Sequence, residues 1–228
     1  MGTSLLLWVT SKCNLTCPLC AVQYIQKYLP DYEMSLEEVK NIITSSKARG
    51  IHYSMIHYAG GEPTVWTHLE EATKLFYESG ITDNITLISN GTNPEKIFSI
   101  NHMLSCYAIS ATQISAKQLA LFTNTNHKII YNHFKHVNLP TVSLSDTLPA
   151  ICCNRMDYLG ANTNQLHYVN GIVFYCCYAL VLSEKAYLTP DLFCNFEENF
   201  LLKFSDKTYN KTICTYCICN NNVLEKII

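Results

Sequence analysis

An α/β fold of successive βα units, followed by a small cysteine-rich C-terminal extension, is the fold class that this sequence predicts. Two observations carry the prediction. Short apolar runs alternate with amphipathic segments over the first two thirds of the chain. After about Pro149 that rhythm stops and cysteines crowd in, at 152, 153, 176, 177, 194, 214, 217 and 219. A third observation says where the chemistry lies: cysteine, glycine and asparagine motifs follow directly on the apolar runs, at the carboxyl ends of the expected parallel strands.

The elements follow in order. "SLLLWVT" reads as a buried strand that runs straight into a cysteine loop. "EMSLEEVKNIITSSKARG" reads as a helix capped by Ser35, with Glu38 completing a capping box and Gly50 as the stop. Leu36, Val39, Ile42 and Ile43 supply its buried stripe. "HYSMIHYA" is the second strand and "GGEP" its exit turn; "THLEEATKLFYESG" is a helix capped by Thr67 and closed by Gly80. "NITLIS" is the third strand, "NGT" its turn, and "NPEKIFSINHML" a helix with Pro94 in its first turn. "CYAISAT" is the fourth strand, "SAKQLALFTNTN" the segment after it, and "KIIYNHF" the fifth strand. The expected division is residues 1–149 for the βα part and 150–228 for the extension, packed against the open side of the sheet.

Composition bounds the setting. A chain of 228 residues can bury one sizeable core. With 48% hydrophobic residues, 15% charged and a net charge of −2, nothing points to disorder, nucleic-acid binding or attraction to anionic membranes. "SLLLWV" is too short to cross a bilayer and lacks a basic flank, so the expected location is the cytoplasm, with no membrane partner. "MGTSLL" also misses the myristoylation pattern, because Leu6 stands where Ser or Thr belongs. Twelve cysteines in such a chain fit reduced, metal-binding thiolates better than a disulfide framework.

"SKCNLTCPLC" brings Cys13, Cys17 and Cys20 together. A four-iron cubane is usually held by four thiolates, so three leave one iron open. A structural zinc site would need a fourth ligand, and no His or Cys lies within a few residues to supply it. C-x3-C-x2-C at the end of the first strand, followed by "GGEP" at the end of the second, resembles the radical S-adenosylmethionine (SAM) superfamily over roughly residues 5 to 140.

The resemblance implies a partial (β/α) barrel of about five to six parallel strands. It implies a [4Fe-4S] cluster on Cys13, Cys17 and Cys20 whose open iron binds the amino and carboxylate groups of SAM. The resulting 5′-deoxyadenosyl radical removes hydrogen from a substrate carbon, and a flavodoxin- or ferredoxin-type protein supplies the electron. Leu19 stands where the family commonly has an aromatic residue near the adenine. Gly60 and Gly61, without β-carbons, let the backbone approach the methionyl part of the cofactor. Glu62 accepts from its amino group, and Pro63 stiffens the exit. Asn90 and Ser110 sit where members contact the ribose or the carboxylate. Taken alone, "NGT" is equally a turn that uses the left-handed tolerance of Asn and Gly, and Ser110 a hydroxyl satisfied by backbone.

The order Cys, G-x4-C, gap, C-x2-C in the tail resembles the extension called SPASM or its shortened form, twitch. It implies a second, auxiliary [4Fe-4S] cluster on Cys153, Cys176, Cys214 and Cys217. Cys152 and Cys177 could replace their neighbours, since adjacent cysteines in a strand point to opposite faces, and Cys194 and Cys219 are also available. A structural zinc site on the same four thiolates is the alternative. Cys106 and His57 read as core residues, and His52, His127, His133 and His136 fit no ligand spacing. The expected function is net oxidation (dehydrogenation) or epimerisation of a small molecule. The alternatives are a radical SAM peptide or protein side-chain maturase, and a non-catalytic zinc or iron–sulfur protein, which would leave "GGEP" with no task.

Overall fold

Leu5 to Val9 are buried without a break, as a strand covered on both faces requires. They belong to β1 (Gly2–Thr10), in a computed structural model that describes residues 2–17, 22, 26, 29–110, 115–123, 128–131, 163–174 and 193–198. β1 pairs in parallel with β2 (Met55–Gly60) on one side and with β6 (Thr163–Val169) on the other. β3 (Ile85–Ser89), β4 (Cys106–Ile109) and β5 (Lys128–Tyr131) continue the parallel sheet beyond β2. β7 (Ile172–Phe174) and β8 (Phe193–Asn195) extend it antiparallel beyond β6, giving the order β5-β4-β3-β2-β1-β6-β7-β8. Six parallel strands are therefore present, and among the described residues the sheet has β5 and β8 at its edges. The sixth comes from residues 163–169, inside the region where the βα rhythm fades, and it sits beside β1 rather than β5.

The helices mostly form where their caps predict. α1 (Leu36–Ala48) has the full capping box: Glu38 N donates to Ser35 Oγ at 3.1 Å, and Ser35 N to Glu38 Oε2 at 3.2 Å. Val39 and Ile42 are buried, while Leu36 and Ile43 pack half-buried against the core. α2 (Leu69–Ser79) ends at Gly80 as expected, but its cap is His68, without a side-chain bond, and not Thr67. The reason is a distant competitor: the Glu33 carboxylate bonds the Thr67 side chain, which would otherwise cap the helix, as well as its N–H at 2.5 Å. α3 (Pro94–Ser99), capped by Asn93, is shorter than the sequence suggests, because Asn101–Met103 tighten into a 3-10 turn. α4 (Ala116–Thr123) follows β4. No helix among the described residues is long and apolar enough to cross a membrane.

Strand alternation sorts the sheet into two faces. Leu5, Leu7, Val9, Ile56, Tyr58, Leu87 and Tyr107 share one, where Tyr58 meets Trp66 edge-on at 5.9 Å and Tyr107 meets Phe122 of α4 at 5.6 Å. The other is more polar: Ser4, Trp8, His57, Thr86, Gln165 and His167 are all buried there, and Cys106 lies 3.2 Å from the Thr86 hydroxyl. Leu6 is in register with His57 on one side and His167 on the other.

Burial, reinforced by His167, lowers the His57 pKa to about 3. An unfolded chain regains the ordinary value of 6.5 and takes up the proton first. Stability is thus complete above pH 6.5 and falls as pH drops toward 3, with a slope of up to about 1.4 kcal/mol per pH unit from this residue. His57→Asn should flatten the slope, measured as urea midpoints between pH 7 and pH 4; parallel slopes in both proteins would show that His57 already protonates in the native state.

Candidate active site

The carboxyl ends of β1, β2 and β3 meet on one rim, and hydrogen bonds fasten them together. As β1 ends, the segment just before α1 grips it. Met34 N donates to Val9 O at 2.8 Å, Ser11 N to Tyr32 O at 2.9 Å, and Thr10 Oγ1 to Tyr32 O at 3.0 Å. Lys12 Nζ pairs with Glu33 Oε2 at 2.8 Å. Burial raises the Glu33 pKa, but hydrogen bonds from Lys12 and Thr67 outweigh it and bring the carboxyl down to about 2. From this anchored exit the chain enters the cysteine loop, where Cys13 and Cys17 are half-buried thiols outside any disulfide. Cys13 Sγ accepts the Leu15 N–H at 3.4 Å. Cys20 and Leu19 lie outside the described residues.

The "GGEP" turn is bonded to that loop. Gly61 N donates to Thr10 O at 2.7 Å, and Glu62 N to Lys12 O at 2.8 Å. The backbones approach so closely that no side chain fits between them. A β-carbon on Gly60, which has φ +129°, would strike the Thr10 carbonyl oxygen; one on Gly61 would strike the Lys12 carbonyl oxygen. Both glycines are thus required by the chain's own backbone, Gly60 by the end of β1 and Gly61 by the start of the cysteine loop, whatever binds beside them. Pro63 is buried and opens the 3-10 turn Pro63–Val65.

Glu62 is 1% exposed, yet its carboxylate is well supplied with donors. Oε1 accepts from Thr64 N at 3.0 Å, Thr64 Oγ1 at 2.8 Å and Ser89 Oγ at 2.7 Å, while Oε2 accepts the Asn90 N–H at 2.7 Å. A carboxylate has room for about four acceptor bonds, two on each oxygen. The four donors match that total but are unevenly shared, three on Oε1 and one on Oε2, so Oε2 is the less crowded oxygen. Glu62 thereby sets the position of the third-strand turn, whose Asn90 side chain reaches back to the cysteine loop and donates to Asn14 Oδ1 at 2.8 Å. Ser110 continues β4 and donates its N–H to Ser89 O at 2.9 Å.

The structure thus brings Cys13, Cys17, Gly60, Gly61, Glu62, Pro63 and Asn90 onto one rim, with Ser110 beside Ser89 at its flank. Cys153, Cys176, Cys214 and Cys217, with their alternates Cys152, Cys177 and Cys219, lie outside the described residues. Cys194 is buried in β8, in register with Val173. Asn14, Glu33 and Ser89 belong to the rim without being expected from the sequence. Glu33 has no local signal, since its partners Lys12 and Thr67 are 21 and 34 positions away. Asn14 does have one, its place between two candidate ligands.

Among the described residues no three His, Cys, Asp or Glu side chains already form a metal site, Cys20 not being among them. The donors that are present, two partly open thiols of which Cys13 accepts a backbone N–H, suit an iron–sulfur cluster. A groove of about 600 Å³ between Glu70, Lys74, Lys96 and His102 lies on the helix side and holds none of the predicted site residues.

Comparison with known proteins agrees with this geometry. The 7,8-dihydro-6-hydroxymethylpterin dimethyltransferase of Methanocaldococcus jannaschii is 31% identical over 179 residues, which is 73% of this chain and 32% of that protein. The GTP 3',8-cyclase of Pelotomaculum thermopropionicum is 36% identical over 86 residues, 36% of this chain and 25% of that protein. The chain thus spans about a third or less of the curated relatives it matches. The crystal structure of BtrN in complex with AdoMet and 2-DOIA has the same fold, with a TM-score of 0.61 at 15% identity over 95% of this chain and 88% of that one. The family model of the radical SAM superfamily matches residues 9–127, just over half the chain, from the end of β1 through the cysteine loop, the "GGEP" turn and the Asn90 turn, and the chain belongs to that superfamily.

Proposed function

We propose that this chain reductively cleaves SAM and removes hydrogen from a carbon of a small-molecule substrate, with net oxidation (dehydrogenation) or epimerisation as the outcome. One observation carries the reading: the "GGEP" turn and the cysteine loop are bonded into a single surface through Gly61 N to Thr10 O and Glu62 N to Lys12 O. A zinc-binding module would have no use for that junction. Superfamily membership implies a [4Fe-4S] cluster and SAM.

Cys13, Cys17 and Cys20 would hold the cluster, and Cys153, Cys176, Cys214 and Cys217 an auxiliary one. Bound there, the first cluster supplies the electron that splits SAM into methionine and the hydrogen-abstracting 5′-deoxyadenosyl radical, and the second an acceptor for the electron left on an oxidised substrate. The chain's own residues orient and enclose. Glu62, whose Oε2 carries one donor against three on Oε1, would accept the ammonium group, and Gly60, Gly61, Asn90 and Ser110 would line the cofactor beside it. Two of the similar proteins are named for a pterin and for GTP, and BtrN was solved with 2-DOIA, which supports a small molecule over a peptide. A flavodoxin- or ferredoxin-type donor in the cytoplasm completes the reading.

Protein reconstituted without oxygen should release 5′-deoxyadenosine and methionine when given SAM and dithionite, even with no substrate, as followed by liquid chromatography. With a turned-over substrate in D2O, stoichiometric 5′-deoxyadenosine without deuterium in the product marks oxidation, and deuterium on the reacting carbon marks epimerisation. Uptake of zinc instead of iron, with no cleavage, overturns the reading.

A further inference from the structure

The Asn90 side chain stands in a closed ring of hydrogen bonds that determines which way its amide faces. Thr92 N, which can only donate, points to Asn90 Oδ1 at 3.0 Å, and Thr92 Oγ1 donates to the same oxygen at 2.6 Å. Asn90 Nδ2 therefore faces the cysteine loop, where one of its two hydrogens goes to Asn14 Oδ1 at 2.8 Å. Asn14 Nδ2 closes the ring by donating to Thr92 Oγ1 at 2.7 Å. The second hydrogen of Asn90 Nδ2 faces Cys13 Sγ, 4.0 Å away. Its backbone is fixed as well, since Asn90 N donates to Glu62 Oε2 and Gly91 N to Ser89 Oγ at 3.0 Å. Both amide hydrogens are thus turned toward the cysteine loop, which gives Asn90 a task other than the ribose or carboxylate contact that the family resemblance implies.

We propose that Asn90 is a positioning residue for Cys13 whose side-chain N–H donates to the cluster-bound thiolate and raises the reduction potential of that cluster. The inference rests on the reading that Cys13 ligates an iron–sulfur cluster. Its physical content is simple. When the cluster takes one electron its sulfur ligands become more negative, so an N–H donor strengthens on reduction and favours the reduced state. Ligand-orienting partners of this kind tune metal sites as much as the ligands do. The Leu15 N–H on the same sulfur adds to the effect, and Glu62 extends it, because the carboxylate that borders the SAM side also holds the Asn90 backbone.

The test is a redox titration of the reconstituted protein, read by EPR on the signal that shifts when SAM is added. At the potential where the wild type is half reduced, Asn90→Ala should lower the reduced-to-oxidised ratio about tenfold, equivalent to about 59 mV for a one-electron couple. Asn14→Ala opens the same ring but leaves the donor to Cys13, and should keep the wild-type ratio. Asn90→Asp keeps the acceptor for Thr92 and has no N–H; it should fall at least as far, and it stands in if Asn90→Ala binds no iron. An unchanged ratio in the Asn90 variants, an equal fall in Asn14→Ala, or loss of iron from both Asn90 variants overturns the inference in favour of a purely structural turn. Failure of the underlying reading looks different: the wild type itself shows no iron or no SAM-responsive signal.

Discussion

Cys13→Ala/Cys17→Ala/Cys20→Ala is expected to remove about four of about eight iron atoms per chain, on the four-iron cubane stoichiometry, and to abolish 5′-deoxyadenosine formation. The expectation follows from where the thiols stand. Cys13 and Cys17 are partly open on the rim, at the end of a strand that hydrogen bonds hold from two sides. Cysteines with no ligand role are usually buried, as Cys106 is here. Iron and acid-labile sulfide measured on wild type and variant, with EPR after dithionite, decide the matter. A fall from about four irons to none keeps the radical chemistry and removes the auxiliary cluster, and with it the oxidative outcome. Retention of all iron and of SAM cleavage would move the cluster away from these three residues.

Gly61→Ala should be the most damaging single substitution outside the cysteines. Its new β-carbon would overlap the Lys12 carbonyl oxygen, with the carbonyl carbon at 2.5 Å and that of Ser11 at 3.0 Å. These neighbours are backbone, which cannot rotate away. The loop must lift off the turn, which breaks the bonds Gly61 N to Thr10 O and Glu62 N to Lys12 O. Overpacking and two lost hydrogen bonds together cost about 3 kcal/mol or more. The variant should show a lower urea midpoint at unchanged slope, and should load less iron on the Cys13 side. Gly50→Ala is the comparison, since Gly50 has φ +65° and a β-carbon there would meet nothing within 4 Å; the left-handed backbone alone costs about 1 kcal/mol there. If the two substitutions cost the same, the crossing of loop over turn is not the reason for the second glycine.

What is legible in the sequence is local. The Ser35 and Glu38 capping box, the Gly80 stop and the helix start at Pro94 each involve residues within a few positions of one another, and all form. The rim motifs are legible because each follows its strand directly. What escapes is long-range. Glu38, which the sequence presents only as part of a cap, also accepts the hydroxyls of Tyr32 and Tyr168, the second of them 130 positions away. Thr67 loses its capping role to Glu33, and nothing near Thr67 announces that competitor. β6 to β8 escape for a further reason: β7 follows β6 after only Asn170 and Gly171, with no helical segment between the two to set a rhythm, and β6 joins the sheet at its oldest strand instead of its newest. The glycines of "GGEP" stand out in the sequence, but the reason for them in this fold is intramolecular crowding, which spacing alone does not reveal.

The central place of β1 also bears on how the protein is made. During synthesis β1 leaves the ribosome before both of its neighbours and gains β2 early, but its other edge has no partner until residues 163–169 emerge. Through that interval the strand leading into the cysteine loop offers one edge to any extended chain nearby, the condition under which nascent sheets aggregate. Five βα-derived strands are complete while the edge is still open. The strand that leads into the cysteine loop therefore has both of its neighbours only after the chain has passed residue 169.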